Sequence, residues 1–129
     1  MERAFSPGFR LSAFDCVVLI VGAALAALVS TIHLAIGSAV AFVVLHFFLF
    51  CNILRMSRKL ELIWTALFII LAAGAFSQLI SWALVFGLSL VGSAFLAIIE
   101  MRSISYHGVG WRRINPNLPA WWAASRIEC

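Results

Sequence analysis

Four long stretches of nearly unbroken apolar residues leave this chain few ways to fold: Phe14 to about Ile32, Ser38 to Leu54, Leu60 to about Ser77, and Ile80 to Ile99. A helix of about 20 apolar residues crosses a hydrocarbon core about 30 Å thick, and each stretch approaches that length. A soluble fold would have to hide all four, and the chain lacks the polar residues to do it. Charged residues are 11% of the 129 and hydrophobic residues 64%, with mean hydropathy +1.10. A soluble domain carries roughly 25% charged residues. The expected fold is an all-α integral membrane protein, a bundle of four transmembrane helices.

Only "HLAIG" separates the first two runs, and only "SQL" the last two. Both junctions are expected to be tight turns, giving two antiparallel hairpins. The expected division is an N-terminal segment 1–13, a transmembrane domain 14–100 and a short interfacial tail 101–129. Arg3 and Arg10 ahead of an apolar run also fit a signal peptide. The run is long for one and passes directly into the next helix, so an uncleaved span is expected.

The nine Lys and Arg exceed the five Asp and Glu. All of the basic residues bracket apolar runs: Arg3 and Arg10 lead, Arg55, Arg58 and Lys59 sit in the middle loop, and Arg102, Arg112, Arg113 and Arg126 follow. The two short junctions have none. This placement orients a membrane protein rather than contacting nucleic acid. By the positive-inside rule both termini face the cytoplasm, in a multi-pass protein of a bacterial inner-membrane type of cell membrane.

The stretch "LHFFLFCNILRMSRKLELIW", Leu45 to Trp64, concentrates what chemistry there is. His46 lies nine residues before Arg55, about 13 Å along a helix, which puts it near the bilayer midplane. An ionisable residue at that depth is a functional candidate. It suits a ligand to haem iron or a chlorophyll-type pigment, a proton relay, or a hydrogen-bonded structural histidine. In a regular helix Cys51 and Asn52 point well away from His46, about 140° and 120° in opposite senses. A compact metal site from "HFFLFCN" alone is therefore not expected. Asn52 and Arg55, three apart, can share a surface at the membrane edge, where Asn52 is expected as structural glue.

The acidic residues read mainly as structure. "SAFD" matches a capping box, with Ser12 capping the first helix and Asp15 at its third position. Glu61 opens the third helix. Glu100 ends the fourth, where the helix dipole disfavours an anion. An ion pair with Arg102 or the middle loop is the expected compensation, with an ion or substrate site as the alternative. Small residues recur every fourth position at Gly22, Ala26 and Ser30, and at Ser89, Ser93 and Ala97. Such stripes mark close helix approach, within the bundle or against another protein. Cys16 and Cys51 read as apolar filler and Cys129 as a free terminal thiol.

The tail interleaves Tyr106, Trp111, Trp121 and Trp122 with Arg112, Arg113 and Arg126. That composition belongs at the headgroup level, as an anchor or as a handle for a partner or anionic lipid. Pro119 suits the first turn of a short helix through "AWWAASR". The chain contains no P-loop, GxSxG or HExxH pattern. Three functions fit: a non-catalytic accessory or scaffold subunit among other membrane protein subunits, a small oligomeric transporter or channel using His46, or a haem- or chlorophyll-type pigment protein.

Overall fold

The computed structural model describes residues 5–125, which form helices and turns. Four helices are long and apolar enough to cross a membrane: α1 (Ala13–Ile32), α2 with its π-helical last turn (Leu34–Leu54), α3 (Arg58–Phe76) and α4 (Trp82–Met101). Two short helices follow, α5 (Trp111–Ile114) and α6 (Leu118–Ser125).

Local chemistry sets each start. Ser12 accepts the Asp15 N–H at 3.2 Å while Asp15 accepts the Ser12 N–H at 2.8 Å, so the capping box is present. Ser81 caps α4 by accepting the Leu84 N–H at 3.3 Å. The first turn differs from expectation, because "HLAIG" is almost wholly helical and α2 begins at Leu34 rather than Ser38. His33 alone leaves helical space, with φ −146° and ψ 99°. Its N–H closes α1 onto the Val29 carbonyl, and its own carbonyl accepts the Gly37 N–H. The sharp return works because Gly37 has no side chain: a Cβ there would lie 2.5 Å from the Ser30 backbone nitrogen. Between α3 and α4 the turn is made by Gln78 in the left-handed region, φ 59°.

Helix α1 packs along α2 and α3 along α4, and the hairpins meet where α2 and its π turn touch α4. Both small-residue stripes serve packing inside the bundle. Gly22 and Ala26 are buried, Ser30 faces Gly37, and Ser89 and Ser93 are buried beside α3. Lipid offers helices no hydrophobic drive to associate, so close approach and interhelical hydrogen bonds supply it. Phe50, Trp64 and Leu96 form the core, surrounded by Phe42, Leu49, Leu54, Met56, Leu60 and Phe68.

The tail folds back over the basic end of the bundle. Tyr106 is buried and donates to the Val109 carbonyl at 2.8 Å, while Asn115 donates to the Ile104 carbonyl at 2.6 Å and the Tyr106 carbonyl at 3.2 Å. Two backbone bonds tie it to the rest: Val109 N–H to the Ile53 carbonyl and Gly8 N–H to the His107 carbonyl, both 2.8 Å. Leu118, in the first turn of α6 beside Pro119, is fully buried.

Candidate functional site

Two regions hold the residues singled out above. The first is a column of rings at membrane depth. The His46 ring stacks on Trp64, centroids 4.7 Å apart and planes 13° from parallel. Phe42 lies 4.1 Å away on the preceding turn, and the Phe50 edge closes in at 5.6 Å. Phe68 continues the stack from Trp64, and Phe86 reaches Phe42 from α4. His46 Nδ1 lies 2.8 Å from the Phe42 carbonyl oxygen. A carbonyl only accepts, so Nδ1 carries a proton, and in the neutral ring Nε2 keeps the lone pair. Trp64 directs Nε1–H to Ser93 Oγ at 2.8 Å and to the Ser89 carbonyl at 3.3 Å, bonding α3 to α4. Ser93 Oγ in turn donates to the Ser89 carbonyl.

The second region is at the basic end, where three segments converge. There the last turn of α2 widens into a π-helix over Leu49–Leu54, ended by Arg55 in left-handed conformation, φ 50° and ψ 47°. The Met56 N–H returns to the Phe50 carbonyl at 2.8 Å. The wider turn aims Asn52 at the N-terminal segment. Its amide nitrogen, placed by its neighbours, donates to Asp15 Oδ2 at 2.9 Å and to the Arg10 carbonyl at 2.5 Å. Its backbone carbonyl accepts the Arg10 N–H at 3.3 Å. Arg55 Nη1 donates to the Ser6 carbonyl. Asn52 and Arg55 thus hold the same stretch of chain against the bundle. Burial, and then the neighbouring Arg10 guanidinium, lower the Arg55 pKa from its ordinary value.

Glu100 is 5% exposed and accepts the Ser57 N–H at 3.3 Å. A backbone donor from the start of α3 thus stands where an arginine partner was expected. Glu61 accepts from the Cys51 thiol at 3.5 Å, so Cys51 turns toward the start of α3. Asp15, Glu61 and Glu100 line one recess together with Arg10, Arg55 and Arg58. An adjoining pocket of about 570 Å³ shares Arg10, Arg55, Ser105 and His107 and is closed by Trp121 and Trp122.

The tail residues divide. Trp121 and Trp122 are half-buried, Trp122 meets Phe5 edge-on at 5.7 Å, and Trp111 meets Phe5 at 5.8 Å. Arg112 lies 5.7 Å from the Trp111 ring centroid, within cation–π range. Arg112 and Arg113 are exposed. Arg126 and Cys129 lie outside the described residues, as does Arg3.

Sequence reasoning counted Arg10 only as an orienting charge and passed over Ser105 and His107. Their shared position depends on the tail folding back, for which no local pattern speaks. Trp64 falls within the third apolar run but has no role assigned by the sequence; its offset of six residues from Arg58, inside α3, is the signal that places it at ring depth. Among the described residues no group of three or more His, Cys, Asp or Glu is arranged to hold a metal ion. No known protein family, curated protein or solved structure matches this chain.

Proposed function

We propose that this small membrane protein is a non-catalytic accessory or scaffold subunit of a larger membrane assembly. The observation that carries the reading is the ring column: at membrane depth the space between the hairpins is filled by Phe42, His46, Trp64 and Phe68 in stacked contact. A solute path needs polar or water-lined positions in sequence, and stacked rings give none. A protein filled in this way acts through its surfaces. His46 fits the role of a neutral structural histidine, its Nδ1–H satisfied by the preceding turn and its ring packed on Trp64.

The partners proposed are the lipid bilayer and other membrane protein subunits, with no part for nucleic acid. The grouping of basic residues at one end supports a bacterial inner-membrane type of orientation, both termini cytoplasmic. A reporter fused after Cys129 is expected to be active on the cytoplasmic side.

The test is extraction in mild detergent, followed by particle sizing and mass spectrometry. A stoichiometric second protein is the expected result, and a lone particle of one or two chains would overturn the proposal. The same sample is expected to show no visible absorption band. A band abolished by His46→Ala would transfer the assignment to a haem or chlorophyll-type protein. Flux into liposomes lost in that variant would transfer it to a transporter.

A further inference from the structure

The pocket beneath α6 has an unusual charge balance for a chain with both acids and bases nearby. Among the described residues its formally charged lining residues are Arg10 and Arg55, and its remaining walls are Ser, His and aromatic or apolar side chains. The arginines arrive from different segments: Arg10 precedes α1 and Arg55 ends the π turn of α2. Ser105 and His107 come from the chain after α4, and Trp121 and Trp122 from α6. Two guanidinium groups facing one space make it a match for an anion.

The described carboxylates nearby line the adjoining recess, which shares Arg10, Arg55, Ser105 and His107 with this pocket. Asp15 is bonded by Ser12 and Asn52, Glu61 by the Cys51 thiol and Glu100 by the Ser57 N–H. Among the described residues, the hydrogen bonds to these three acids come from neutral donors. Arg55, meanwhile, is fixed in direction by its bond to the Ser6 carbonyl and by the left-handed backbone from which it projects.

We propose that this pocket binds a phosphate group. Guanidinium forks pair with phosphate oxygens in planar, two-point fashion, which makes arginine the side chain of choice for that anion. The Ser105 hydroxyl and the indole N–H groups of Trp121 and Trp122 are neutral donors lining the same space, while His107 gives its Nδ1 proton to the Ser105 carbonyl at 2.8 Å. The depth agrees with the chemistry. Arg55 follows directly on the last residue of a membrane span, and Trp121 and Trp122 are residues of the headgroup layer. The phosphate comes either from an anionic lipid headgroup or from a small soluble phosphomonoester. Neither source depends on the scaffold reading, since a bound phosphate is detected whether or not a protein partner co-purifies.

The experiment uses the full chain and two probes with the same head chemistry. Phosphatidic acid is presented in phosphatidylcholine nanodiscs, with retained lipid counted by native mass spectrometry. Glycerol 3-phosphate is titrated calorimetrically into protein in phosphatidylcholine alone. Saturable retention of phosphatidic acid over phosphatidylcholine assigns the pocket to a lipid headgroup, and saturable heat from glycerol 3-phosphate assigns it to a soluble ligand. Arg10→Gln, at an exposed position, and Arg55→Lys, which keeps the charge but loses the fork, are each expected to weaken binding roughly tenfold. Arg112→Gln together with Arg113→Gln leaves it unchanged. Absence of binding by either probe to the unmodified protein overturns the proposal, and so does an equal loss in the Arg112/Arg113 variant, which marks diffuse surface charge. If Arg55→Lys fails to fold, the unmodified protein and Arg10→Gln still decide.

Discussion

At the scale of single residues, Trp64, Asn52 and Glu100 use buried polar atoms to join separate segments, while His46 bonds within its own helix. Trp64 spends its only donor on α4, so Trp64→Phe, which preserves most of the packing, is expected to cost about 1 kcal/mol. Unfolding in a denaturing detergent gradient measures that loss. Tyr106 offers a second check because it is the one tyrosine in the chain. Burial, and then the Glu100 carboxylate, raise its pKa above the ordinary value of 10.0. The folded state therefore favours the neutral phenol, and this contribution is complete below the unfolded pKa of about 10. It is lost as pH rises through the folded value. Ultraviolet titration is expected to place ionisation above that of a free tyrosine, and Glu100→Gln to lower it part of the way. The histidine, asparagine and glutamate that drew attention in the sequence are all buried here. Their partners could not be read in advance, because each lies on another helix, in the backbone or in the N-terminal segment.

At the scale of elements, the legible features were those written in short spacings. Ser12 and Asp15 marked the start of α1, and apolar run length marked all four spans. The start of α2 was misplaced because Gly37 reads as a turn residue, whereas here it is the point at which α2 touches α1. Gly37→Ala is expected to overpack that contact and destabilise the first hairpin by about 1–3 kcal/mol, measured in the same unfolding assay. Gln78 makes the opposite prediction. A non-glycine residue in left-handed conformation carries a strain of about 1–2 kcal/mol. Gln78→Gly at this exposed turn is expected to stabilise the second hairpin by up to about 1 kcal/mol, since glycine's freedom in the unfolded chain offsets part of the relief. The π turn was illegible, because residue spacing was read at the α-helical period. That period gave Asn52 a shared surface with Arg55 but no partner in the N-terminal segment, where it bonds Asp15 and Arg10.

For the whole molecule, composition alone made the bundle legible, while the closing of its basic end was not. That closure needs segments more than 90 residues apart, Gly8 and His107, to meet through the backbone. It also needs Gly108, where a Cβ would stand 2.5 Å from the Leu54 carbonyl oxygen. Gly108→Ala is expected to loosen the tail and leave the helices in place, seen as faster proteolysis after Met101 with helical circular dichroism retained. The bond between Gly8 and His107 also bears on how the molecule is made. Each hairpin pairs helices adjacent in the chain and is ready soon after its second helix leaves the ribosome. The clasp between Gly8 and His107 must wait until the tail has followed α4 out of the ribosome, so a nascent chain stalled after α4 has its helices packed but its basic end still open.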